Sequence, residues 1–205
     1  MANATVVLNT RDLVRFYPSF ATIEPGWSQQ VTLVYTPDKN DKVWDGDSED
    51  TGGTLVSSER AEKTRSLKAV IAINVAMIKS PKTGSMLARP GSKNGEFVAS
   101  KPTLNEMRQS GVRLLSHELL HVIQEWVRPG GYASHQEDAT RKVLAQHPCL
   151  LFHPEDRARQ AYQENEYEKA AYRSSEEFVS KNRADINAGD FDDYLPIPMM
   201  VPPTK

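Results

Sequence analysis

The apolar positions of this chain follow two rhythms, and the change falls near Thr103. Before it they come in short runs rich in β-branched and aromatic side chains. These are Thr5 to Leu8, Val31 to Thr36, and Lys68 to Met77, whose KAVIAINVAM alternates large and small apolar groups. Branched side chains pack well on a pleated surface, so such runs predict strands. The stretch Pro37 to Lys63 is dense in Asp, Gly and Ser and reads as a long loop. Ser80 to Pro102, broken by Pro81, Pro90, Gly91, Gly95 and Pro102, reads as a second.

From Thr103 the period becomes helical. Thr103-Leu-Asn-Glu106 has the form of a capping box. Met107, Val112, Leu114, Leu115, Leu119, Val122, Ile123 and Trp126 then recur at helical spacing, up to a stop at Pro129-Gly130-Gly131. A second helical region is predicted from about Pro154 to about Asn182, with a break near Asn165. The tail Pro196 to Lys205 holds four prolines and is predicted not to be a helix. The order of strands, long helix, loop and second helix predicts an α+β fold.

With 205 residues, the chain is expected to form one domain. Residues 1–102 would be mainly β and loop, 103–195 mainly helical, and 196–205 a Pro-rich tail. A formal net charge of -2 carries no basic footprint for nucleic acid and no polybasic membrane patch. No apolar run is long enough to span a bilayer. Met1-Ala-Asn-Ala lacks the charged and apolar regions of a signal peptide. The expectation is a cytoplasmic chain, or one delivered or virion-associated without a signal peptide. Cys149, the single cysteine, sits in apolar surroundings and reads as a buried, inert thiol. Asp45 to Asp50 has neither the glycine nor the distal acid of a calcium loop and reads as an exposed acidic loop.

One motif carries chemistry. His117-Glu118-Leu119-Leu120-His121 lies inside the long helix. Residues four apart on a helix point nearly the same way, so both imidazoles can share a zinc ion. Glu118 is rotated by about 100° from His117 and flanks such an ion rather than binding it. There it can take a proton from a zinc-activated water as general base. The helix is apolar on most sides, and buried His and Glu residues need partners.

A zinc site needs a third protein ligand, with the fourth position left for water. The metzincin ending is absent: Gln124 and Val127 stand where its glycine and third histidine would be. His135, Asp138, His147, His153, Glu155, Glu164, Glu166 and Glu168 are candidates. Glu164, Glu168 and Tyr172 share one helix face, near small residues that permit close helix approach, which favours Glu168. Gln124 stands near the face of His121 and could hydrogen-bond behind it. Tyr172 could donate to a developing oxyanion.

The His117-Glu-Leu-Leu-His121-Val-Ile-Gln124 stretch, followed by Asn165-Glu-Tyr-Glu168-Lys-Ala-Ala171-Tyr172, resembles the gluzincin branch of the zincin metallopeptidases. It is most similar to short bacterial and phage-associated metallopeptidases with the pattern HELxHxxQ and a later N-P-F-E-x-E-A-Y. Glu166 replaces that pattern's proline, and Ala170 its second acid. The resemblance covers about Thr103 to Arg183. It implies a zincin-like fold, with a small twisted sheet packed on the active-site helix and a second ligand-bearing helix after it. It also implies Zn²⁺ held by His117, His121 and Glu168, peptide or protein substrates, and an upstream strand, Lys68 to Met77, that pairs with an extended peptide. Two other readings stand beside it. One is a zincin-fold structural or binding protein, such as a virion or injection-system component that keeps its metal site. The other is a zinc hydrolase of non-peptide bonds.

Overall fold

The computed structural model describes residues 3–36, 52–75, 78, 102–128, 132–146 and 164–200. The expectations placed on Cys149, on Asp45 to Asp50 and on the second loop before Pro102 fall outside these residues. So do the ligand candidates His147, His153 and Glu155.

Four strands form one sheet: β1 (Ala4–Asn9), β2 (Ser28–Thr36), β3 (Gly53–Ala61) and β4 (Ser66–Asn74), in the order β1-β2-β4-β3. β1 pairs antiparallel with β2, β2 parallel with β4, and β4 antiparallel with β3. Helix α1 (Thr10–Phe16) and a 3-10 turn (Pro18–Thr22) connect β1 to β2. The long helix α2 (Leu104–Val127) follows the sheet, then α3 (Tyr132–Gln146), α4 (Glu166–Lys181), α5 (Arg183–Ala188) and a final turn α6 (Ile197–Met200). The fold is α+β. No helix among the described residues is long and apolar enough to cross a membrane.

Two expectations about strands are corrected. β3 lies inside the stretch read as the loop Pro37 to Lys63. Its sequence GTLVSSERA hides it, because a bulge between Leu55 and Ser57 breaks the alternation and the residues after it face solvent. β4, within the predicted Lys68 to Met77 strand, is interior and has a neighbour on each side. Its backbone groups are spent on β2 and β3, so it cannot take up a peptide. Among the described residues the strand with an open side near the long helix is β3.

Helix α2 starts at the predicted capping box: the Thr103 side chain accepts from the Glu106 N–H, and Glu106 accepts from the Thr103 N–H. Met107, Val112, Leu115, Leu119, Val122 and Trp126 enter a core shared with Leu33, Tyr35, Ile71 and Ile73 of the sheet. The Tyr17 hydroxyl donates to the Ser116 carbonyl at 3.0 Å and pins the helix one residue before His117. Burial pushes that hydroxyl's pKa up to about 12, so it stays a donor.

The C-terminal segment is also corrected. Ile197–Met200 makes a helical turn despite its prolines. Pro198 falls in the first turn, where a backbone N–H has no helical partner to lose. Met199 and Met200 are buried, and Tyr194 packs edge-on against Phe16, which stacks on Phe178 at 5.3 Å. Tyr35 donates its hydroxyl to the Tyr194 carbonyl, and Arg108 grips Asp192 through two nitrogens at 2.8 and 2.5 Å. The segment is therefore core. Met200, 2% exposed, should cost about 2–5 kcal/mol when cut to alanine. Denaturant unfolding of Met200→Ala measures this, and an unchanged midpoint would contradict the packing.

Candidate metal centre

Helix α2 presents His117 and His121 one turn apart on its buried side. Their rings meet edge to face with centroids 4.7 Å apart, and the two Nε2 atoms lie 3.1 Å from each other. Helix α4 supplies Glu168 from its first turn. Its Oε2 is 3.3 Å from His117 Nε2, and its Oε1 is 3.2 Å from His121 Nε2. One ligand atom from each of the three residues can be chosen within 4.8 Å of the others, and all three residues are buried.

These spacings suit an ion. Ligand atoms bound tetrahedrally at about 2.0–2.1 Å stand roughly 3.3 Å apart. Two imidazole nitrogens facing each other at 3.1 Å in a dry site hold their lone pairs together, which only a shared proton or cation relieves. The cluster can hold a metal ion.

Asn165, wholly buried, explains how Glu168 arrives there. It is the N-cap of α4, and its side-chain oxygen accepts from the Tyr167 and Glu168 N–H groups at 3.0 and 2.9 Å. The helix therefore begins at the predicted break and aims its first turn at α2. Gln124 joins the two sides. Its amide oxygen accepts from His121 Nδ1 at 2.8 Å, and its amide nitrogen donates to the Tyr167 carbonyl at 3.3 Å. With its Nδ1–H held by the Gln124 oxygen, His121 turns its Nε2 toward Glu168 Oε1.

Glu118 lies beside the triad and is 4% exposed. It does not belong to the ligand group, and no hydrogen bond from a described residue reaches its carboxylate. Burial pushes its carboxyl above the ordinary range, the His121 and His117 charges pull it back, and Glu168 pushes it up again. Burial pulls the His121 imidazole down, but its hydrogen bond to Glu168 and the Glu118 and Glu168 charges outweigh that, and its pKa is raised. The wall beside Glu118 is the start of β3. A methyl group on Gly53 would stand 2.6 Å from Glu118 Cγ and 2.7 Å from Cδ and Oε1.

Of the other ligand candidates, the His135 side chain lies outside the described residues and the acids separate. Asp138 is largely exposed and pairs with Arg141 at 3.0 Å, away from the triad. Glu166 is exposed, and Glu164 lies outside the ligand group. Tyr172 lays its ring on that of His117, centroids 4.6 Å apart, while remaining 48% exposed. Sequence reasoning passed over Gly53, Gln136 and the capping role of Asn165. Of these only Asn165 carried a local signal, an N-cap residue just before a helical run.

No protein-family model matches the chain, and no curated protein and no solved structure matches it.

Proposed function

We propose that the chain is a zinc-dependent metallopeptidase, with zinc held by His117, His121 and Glu168 and with Glu118 as general base. Two imidazoles and one carboxylate, with a position left for water, are a donor set that suits catalytic zinc. Bound there, zinc supplies a Lewis acid that acidifies water and polarises a carbonyl. The chain's own residues do the rest. Glu118 accepts the proton of the attacking water and delivers it to the leaving amine. The open side of β3 begins beside Glu118 and offers backbone groups to an extended peptide.

The observation that carries this reading is Glu118 itself. It is a buried acid beside a complete ligand set to which it does not belong. A site that only held the fold together would have no need of it.

The test is incubation of the zinc-loaded chain with unfolded protein and with panels of peptide, ester and amide substrates. Peptide cleavage that a chelator stops and zinc restores is the expected result. Zinc bound with nothing turned over would indicate a metal-stabilised binding protein. Turnover of esters or amides without peptides would indicate a different hydrolase.

Gly53 gives a sharper check. The methyl of Gly53→Ala would meet Glu118 first, 2.6–2.7 Å from its Cγ, Cδ and Oε1, and would displace it. Zinc content should stay at the wild-type value while the rate falls by about 10²-fold, as displacements near 1 Å can do. Loss of zinc together with activity would mean that the substitution acts through the fold.

A further inference from the structure

The face of α3 turned toward α4 carries two polar contacts one turn apart. Gln136 donates its amide N–H to Glu168 Oε1 at 2.8 Å. Thr140 accepts from the Asn165 side-chain amide at 3.2 Å. The first contact engages the carboxylate, and the second holds the residue that caps its helix. We infer that Gln136 is a positioning residue that occupies one oxygen of Glu168 and leaves the other, Oε2, for the ion. This rests on the reading that the triad holds zinc.

The chemistry gives the contact a purpose. The two oxygens of a carboxylate are equivalent, and an unrestrained one can bind an ion through either or both. Binding through both fills a position that a catalytic site must keep open for water and substrate. Both oxygens stand near the histidines, Oε1 3.2 Å from His121 Nε2 and Oε2 3.3 Å from His117 Nε2, so the amide N–H on Oε1 is what makes them unequal, lowering that oxygen's ability to donate to an ion and leaving Oε2 the stronger donor. A neutral donor suits the task better than lysine or arginine, because a cation there would compete with the metal for the same carboxylate. Gln124 does the equivalent for His121 by accepting the hydrogen bond of its Nδ1–H. Two amides on two helices thus orient two of the three ligands.

The probes are Zn²⁺, by competition with a chelator, and Co²⁺, by its visible absorption, whose intensity falls as coordination number rises. Gln136→Leu keeps the bulk and removes the donor, and Gln136→Ala removes both. Circular dichroism checks that each is folded. The expected result in both variants is a loss of about 10–100-fold in zinc affinity. A weaker cobalt spectrum, as expected for a carboxylate freed to bind through both oxygens, should accompany it. Wild-type affinity and spectrum in folded Gln136→Leu would overturn the inference. Weaker binding with an unchanged spectrum would overturn it too, because a merely structural role predicts that. A wild-type chain that takes up neither ion removes the metal reading and this inference with it, whereas a variant-only change leaves the metal reading standing.

Discussion

Glu118→Gln should bind zinc as the wild type does and lose hydrolysis by about 10²–10⁴-fold, the range a positioned general base contributes. The amide keeps the shape of the side chain and cannot accept the proton. A variant that keeps its rate would remove Glu118 from the chemistry. A second outcome is tied to the same burial. The folded-state pKa of Glu118 is raised, so the folded chain holds this proton to higher pH than the unfolded chain does. Where the folded state binds more protons, stability falls as pH rises. In metal-free protein this residue therefore costs stability from the ordinary glutamate pKa upward through its raised value. At neutral pH, metal-free Glu118→Gln should melt above wild type. At pH values well below the ordinary carboxylate range the difference should vanish. Equal melting temperatures at neutral pH would mean that the carboxylate has found compensation in the fold.

Glu168→Ala should take the metal content from about one zinc per chain to near none, as should His117→Ala and His121→Ala. Mass spectrometry on chelator-free protein reads this directly. Thermal unfolding gives an independent reading. Zinc at a hundredfold excess over its dissociation constant stabilises the folded wild type by about 2.7 kcal/mol. The variants should gain almost nothing from the same zinc. Loss in His117→Ala but not in Glu168→Ala would move the third ligand, with Glu164, His135 and Asp138 next in line. Protons compete for the same nitrogens. The raised His121 pKa means that zinc affinity should begin to fall at a higher pH than for an ordinary imidazole as the solution is acidified.

The two helices that build the site announce themselves locally. Helix α2 has a capping box, a sustained 3.6-residue rhythm and two histidines at a spacing that only a helix turns into a pair. The first turn of α4 follows an asparagine suited to cap it. Strand β3 was invisible because its one-residue bulge at Val56 moves side chains to the opposite face, leaving no alternation to count. Helix α3 is polar along most of its length, and little apolar spacing marks it out. Gln136 sits between His135 and Asp138, and sequence reasoning named those neighbours because they can ligate metals. An amide has no such chemistry. Its place became visible only with α4 beside it, 32 residues further along the chain. Gly53 is similar, since its lack of a side chain matters only because Glu118 lies against it.

An edge that accepts a peptide also invites another copy of the same chain, which is how sheets grow into aggregates. The bulge at Val56 interrupts the regular row of backbone groups that a second copy would need. Beyond it, Ser57, Ser58, Glu59 and Arg60 cover the strand with polar and charged groups, with Ser57 to Glu59 exposed. Gly53 to Leu55, next to Glu118, is the stretch before the bulge. Under the proposed function, a guest strand would pair with these few residues before the bulge breaks its register. The same irregularity that would block a second copy would then also limit the length of peptide the edge could hold.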